Sequence, residues 1–233
     1  MMDPITLSLK VAVIAVCIVF VFGLAIARFM ARRDFMGKNL VESIIILPMV
    51  LPPTVLGYAL LILLGKRGFI GELLMEQFGI QVVFTWWAAV LASAIVSFPL
   101  MYQSAKAAFA SVDIFLEQAA RTLGTGEIRI FLTITLPLAW PGVLAGLLLA
   151  FARALGEFGA TLMVAGNIPG KTQTIPIAIY SAVESGDDEL AKALVLTITL
   201  ISFAALFFLN RWSKKKSEVW RRGGAAHADS RNI

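Results

Sequence analysis

Few side chains in this 233-residue chain could do chemistry, and the ones that are missing narrow the choices first. The single histidine, His227, and the single cysteine, Cys17, make no disulfide and supply no cysteine or histidine metal cluster. Zinc hydrolysis and histidine-based triads are therefore not expected, and neither is a metal or other cofactor. Arg153 and Glu157 stand four apart in a long apolar stretch, a spacing that puts them on one face of a helix. In hydrocarbon each would be costly alone, so two readings stay open: an ion pair bracing a helix bundle, or a pair lining a path or its gate. Apart from these, only Glu42 sits near an apolar segment, too few titratable groups for an embedded enzyme. No catalytic residue is assigned.

The string Gly166-Asn167-Ile168-Pro169-Gly170-Lys171-Thr172 imitates a phosphate-binding loop, but only three residues separate its first glycine from Gly-Lys-Thr. The pattern needs four, and Ala165 holds the required position. The flanking sequence is an apolar helix exit rather than a strand entering a helix, so it reads as a turn. The chain itself offers no credible nucleotide site.

The most informative polar stretch is the connection over about 106–135. Ser111 or Asp113 can cap a helix there, and Gly124 suits its stop. Leu116, Ala119, Ala120 and Leu123 fall at helical spacing on one apolar stripe, with Asp113, Glu117 and Arg121 at four-residue steps on a charged face. A helix lying on the membrane surface would give such a pattern. The stripe is short, half alanine, and bordered by charges of mixed sign, which fits close approach of another protein better.

These residues must be carried by membrane helices. The chain is 59% hydrophobic and 15% charged, with a mean hydropathy of +0.84, values that fit no ordinary soluble domain. Charge-free runs over 11–27, 43–65, 77–105, 130–152 and 193–210 are each close to or above the roughly 20 residues that a spanning helix needs. The expected fold is an all-α integral membrane protein with about five transmembrane helices, over 7–31, 43–64, 82–104, 137–165 and 190–210. A transmembrane domain over 1–210 is then followed by a basic tail, 211–233. The first run ends in Ala25-Ile26-Ala27 like a signal peptide, yet Arg28, Arg32, Arg33 and Lys38 follow it and only Lys10 precedes it, the pattern of a retained helix.

With the N-terminus outside, the inner segments receive most of the 20 basic residues: the cluster after the first span, Lys106, Arg121 and Arg129 in the central connection, and the tail. Trp86 and Trp87 at the outer start of the third span, and Trp212 and Trp220 after the last, agree as interface anchors. The C-terminus is therefore expected in the cytoplasm. The pI of about 9.6 reflects this membrane-facing bias, with membrane lipid as the neighbour and no nucleic acid as a partner.

Several features point to a lined path. Pro48, Pro52 and Pro53 interrupt the second span, and freed carbonyls are tolerated only where protein or water covers them, so that span is expected inside the bundle. Gly142 and Gly146 permit close packing, within the bundle or between copies. The run 172–183 is too short to cross and reads as a re-entrant or interfacial helix, capped at Thr174 with Pro176 in its first turn. No matching pair of interrupted spans marks the inverted repeats of a secondary transporter.

The central connection resembles a signature of permease subunits of ATP-binding-cassette importers: E-A-A, three residues, G, nine residues, I-x-L-P. It falls here on Gln118-Ala119-Ala120, Gly124, Ile134 and Leu136-Pro137. Glutamine replaces the acid, and Glu117 supplies one a position earlier. The likeness runs from about residue 40 through the last span. Leu51-Pro52-Pro53, Arg67-Gly68-Phe69-Ile70-Gly71-Glu72, Ala154-Leu155-Gly156-Glu157-Phe158-Gly159, Asn167-Ile168-Pro169-Gly170 and Thr174-Ile175-Pro176 look most like the molybdate permeases, with sulfate and tungstate permeases as near relatives. The resemblance implies a coupling helix seated in a groove of a cytoplasmic ATPase subunit. It also implies a homodimer with alternating access, and an extracytoplasmic oxyanion-binding protein as donor, all in a bacterial inner membrane. Glu117, Gln118, Ala119, Ala120, Gly124, Ile134, Leu136 and Pro137 would serve ATPase coupling; Arg153, Glu157, Pro52 and Pro53 are candidates for the path or gate.

Overall fold

The computed structural model describes residues 3–229, and among them every regular element is helical. Helix α1 (Pro4–Arg32) starts where Asp3 accepts a hydrogen bond from the Ile5 N–H and Pro4 presets the first turn. Its face of Leu7, Val11, Ala15 and Val19 packs on α5 (Trp86–Ala110), which offers Ala88, Ala92 and Ala105. Lipid tails are as apolar as these side chains, so burial from water does not drive this contact; close packing of small residues does. Helix α8 (Leu136–Leu155) joins on the other side of α5. A Cβ on Gly142 would lie 2.6 Å from that of Ala108, and one on Gly146 2.7 Å from that of Ser104. The paired glycines therefore serve packing within the protomer.

Helices α2 (Lys38–Val50) and α3 (Pro53–Leu64) follow each other with a bend of 113°, the geometry of a broken span or a re-entrant pair. Pro48 withholds an N–H inside α2, and Pro52 ends it while its carbonyl accepts the Val55 and Leu56 N–H groups that start α3. The expectation of an interior second span holds for α3, which buries Leu56, Gly57 and Leu60, but not for α2 within the single protomer. No residue of α2 is buried, because within one chain only its edge along α1 and α5 is covered. Short α4 (Phe69–Phe78) follows, and α6 (Ile114–Thr122) and α7 (Glu127–Ile130) make up the central connection.

The fourth span differs from the 137–165 expected. Helix runs from Glu127 through a π turn (Phe131–Thr135) into α8 and stops at Leu155, and a separate α9 (Gly159–Ala165) resumes after a break. Pro137 has no N–H for the carbonyl four residues back and its ring crowds that carbonyl, which the widened π turn accommodates. Helix α5 likewise begins and ends later than the 82–104 expected, so the first part of the central connection is still span helix. Helix α10 (Ile175–Glu184) is the short apolar element, with Pro176 in its first turn. Thr174 stands at its cap position without a side-chain capping bond; Ser8 Oγ accepts the Ile175 N–H instead, at 2.7 Å.

The last helix, α11 (Asp188–Asp229), runs on through most of the expected tail. The tail side chains from Trp212 onward lie outside the described residues. Among the described residues four helical stretches are long and apolar enough to cross a membrane, and five if the bent pair counts as one, which makes this an all-α, multi-pass membrane protein.

Candidate coupling and translocation sites

Helix α6 is built by its ends. Asp113 Oδ1 accepts the Phe115 N–H at 2.9 Å, and Gly124, with φ of +77°, turns the chain so that Thr125 donates to the Ala120 carbonyl at 3.1 Å. Leu116, Ala119 and Leu123 are exposed, whereas Ala120, expected on the same stripe, faces inward. Phe115, 71% exposed, enlarges the apolar patch. The sequence reading missed it, although its position four before Ala119 was the available signal. Gln118 is exposed.

Glu117 corrects the expected charged face. Its side chain is 1% exposed and points away from solvent, because four cationic or hydroxyl partners converge on it. Arg28 reaches it with both terminal nitrogens, at 3.0 and 3.1 Å. Arg32 donates at 2.9 Å and Thr135 at 2.7 Å, and Arg121 stands 3.5 Å from the second oxygen while pairing with Glu127. Arg32 also donates to the Val112 carbonyl at 3.0 Å. Burial alone would raise the Glu117 carboxyl; the hydrogen bonds from Arg28 and Thr135 and the two α1 guanidinium charges overcome it and hold the pKa at about 2.

One carboxylate thus fastens α6 to the end of α1 and to the π turn. Thr135 is the unspecified residue between Ile134 and Leu136-Pro137, all three half-buried, and nothing in the motif marked it. In the sequence, Arg28 and Arg32 signal only a retained first helix and its orientation.

The other candidates meet around two helix breaks. Arg153 Nη1 lies 2.7 Å from Glu157 Oε2 across the end of α8, and Glu157 Oε1 accepts the Ala160 N–H at 2.8 Å, opening α9. The two residues were expected on one continuous helix; the break at Gly156 instead makes Glu157 both ion-pair partner and cap. Pro53 is close by: a Cβ on Gly159 would lie 3.0 Å from that of Pro53, and one on Gly57 2.7 Å from Met163 Cβ. The break at Leu51-Pro52-Pro53 and the break at 156–158 therefore face each other, with Pro52, Pro53 and part of Arg153 exposed and Glu157 buried. The imitation phosphate loop is a closed turn in which Thr172 Oγ1, fully buried, accepts from the Ile168 N–H and donates to the Gly166 carbonyl, each at 3.1 Å.

Comparison with known proteins places this geometry. The Escherichia coli K12 molybdenum transport system permease protein ModB is 48% identical over 219 residues, covering 92% of this chain and 96% of that protein. The Synechococcus elongatus sulfate transport system permease protein CysW is 37% identical over 204 residues, covering 88% of this chain and 71% of that one. A bacterial alginate ABC transporter, solved in complex with an alginate pentasaccharide-bound periplasmic protein, shares the fold with a TM-score of 0.73 at 17% identity, over 91% of this chain and 77% of its own. The family described as the binding-protein-dependent transport system inner membrane component matches residues 8–216, so nearly all the helices just described lie within it. The chain is a multi-pass inner-membrane permease and belongs to that family of ABC importer components.

Proposed function

We propose that two copies of this chain form the membrane path of an ATP-driven importer for a tetrahedral oxyanion, molybdate, with ATP hydrolysed on separate cytoplasmic subunits. The observation that carries this reading is α6: an exposed patch of Phe115, Leu116, Ala119 and Leu123, held on the membrane helices by Glu117. An ATPase subunit seated on that patch would move α1 and α8 along with it. The N-terminus is assigned to the outside and the C-terminus, with the basic tail, to the cytoplasm.

A doubly charged anion cannot enter hydrocarbon, since one side-chain charge at the bilayer centre already costs about 2.5 to 3.5 kcal/mol on insertion scales. It needs a protein-lined route, and one chain is a thin wall. The uncovered face of α2 and the exposed proline bend support a second copy closing the route, with Arg153 beside the paired breaks as the cationic group near the anion. Outside, a binding protein delivers the anion near α10. The substrate rests on the likeness to a molybdenum permease across almost its whole length.

Co-purification with the cognate ATPase subunit, followed by uptake of labelled molybdate into proteoliposomes loaded with ATP, tests the reading. ATP-dependent uptake with weak competition by equimolar sulfate is expected. Uptake that continues without ATP, or failure to form the ATPase complex, would sink the importer assignment; strong sulfate competition would move the substrate to sulfate, which the likeness to CysW makes the second reading.

A further inference from the structure

Two clefts lie in line along one face of α1. The first, about 320 Å³, sits between α1, α2 and α5 and is apolar throughout, with Ile18, Phe22, Ile45, Pro48 and Phe98 among its walls. The second, about 580 Å³, lies toward the end of the helix and is polar. Ala25 and Phe29 form its α1 floor, and Arg28, Arg32, Arg33 and Arg121 surround it with Glu127. Ile18, Phe22, Ala25, Phe29 and Arg32 succeed one another at steps of three and four, so the apolar groove runs into the cationic cleft along a single stripe. From Ile18 to Phe29 the helix rises roughly 16 Å, the scale of an acyl chain. Phe22 and Phe29 are half exposed along it.

The charges do not cancel. Four guanidiniums face two carboxylates, Glu117 and Glu127. Glu117 is shared by Arg28 and Arg32, and Arg121 pairs with Glu127, which leaves Arg33, stacked over Phe29 at 5.3 Å, with no carboxylate partner among the described residues. An excess of positive charge at the end of a spanning helix, reached by an apolar groove from the bilayer, matches one kind of ligand: a molecule with a long acyl chain and an anionic phosphate.

We propose that this groove and cleft form a site for one anionic phospholipid per chain, its acyl chain against Ile18 and Phe22 and its phosphate among Arg28, Arg32 and Arg33. Such a lipid would lie against the guanidiniums that hold Glu117, and so beside the attachment of α6 to α1. The site is independent of the transported anion, so its test does not share a readout with the substrate assignment.

The test is native mass spectrometry of the purified full-length protein with its ATPase subunits, titrated with phosphatidylglycerol, phosphatidylcholine or inorganic phosphate. One phosphatidylglycerol per chain is expected to survive delipidation, with phosphatidylcholine held at least tenfold more weakly and 10-fold excess phosphate failing to displace it. Arg33→Gln should weaken retention about fivefold, the effect of one interfacial basic residue. Ala25→Trp, which fills the junction of the two clefts from an exposed position, should abolish it while the complex keeps its thermal stability. Equal retention of the two lipids, displacement by phosphate alone, or indifference to both substitutions would overturn the proposal. So would a cross-link from Ala25→Cys, made with Cys17→Ser, to a second copy or to the ATPase subunit, since the groove would then be covered by protein.

Discussion

Glu117 and Glu157 are both buried to the same degree, both pair with arginine, and both lie at the start or end of a short helix, yet they do different work. Glu117 gathers Arg28, Arg32 and Thr135 from parts of the chain far apart in sequence. Glu157 uses one arginine four residues back and one backbone N–H three residues ahead. The first is a weld joining α6, the end of α1 and the π turn. The second repairs a break inside one span. A charge held by several distant partners carries tertiary structure, while one held locally carries the shape of a helix end.

The largest expected effect therefore belongs to Glu117. Glu117→Ala leaves two α1 guanidiniums side by side without their counter-charge, and should lower the stability of the detergent-solubilised protein by about 3 to 5 kcal/mol, read as a fall in the thermal transition. A loss under 1 kcal/mol would erase the distinction from Glu157. The pH dependence sharpens it. A folded pKa of about 2, below the ordinary carboxylate value of 4.5, means the stabilisation is fully present above about pH 4.5 and is lost as pH falls toward 2. The stability gap between wild type and Glu117→Gln should stay flat from pH 8 to 5 and shrink below, by on the order of 3 kcal/mol in all. A gap that instead changed between pH 7 and 5 would contradict the depressed pKa.

Glu157→Ala comes next, at about 2 kcal/mol for a lost cap and ion pair together. Its partner is the informative control. Arg153 is one-third exposed beside the proline break, but Arg153→Met leaves the buried Glu157 carboxylate with only the Ala160 N–H, so it should cost at least as much as Glu157→Ala, about 2 kcal/mol or more. If Arg153 lines the path, anion uptake should also fall at least tenfold, with ATPase-complex formation unchanged. Unchanged uptake would make the pair purely a brace.

How far the sequence carried the reading follows the same division between local and distant. Runs of apolar residues, the cap at Asp113, the stop at Gly124 and the proline bend are statements about neighbours, and they were legible. Span limits were less so, because charge counting cannot see that α8 extends back through a π turn to Glu127 or that Gly156 ends it. The partners of Glu117 were illegible. Periodicity drew it beside Asp113 and Arg121 on an outer face, and only tertiary packing reveals that two arginines some 85 to 90 residues earlier occupy the opposite side. Gly142 and Gly146 stood between: the pattern announced close packing, and the structure supplied Ala108 and Ser104 as what they meet.

The smallest expected effect asks whether position or identity makes the acid matter. Gln118 occupies the place where the family signature has glutamate, but it is exposed and one residue turns it about 100° around the helix from Glu117. Gln118→Glu should shift stability by no more than about 0.5 kcal/mol, as surface changes do. In the double variant Glu117→Ala with Gln118→Glu, the acid is present but faces away from Arg28 and Arg32, so the melting temperature should remain at the level of Glu117→Ala alone. Recovery of half or more of the loss would mean that α6 can rotate to offer either side chain. The weld would then be a feature of the helix rather than of one inward-facing carboxylate.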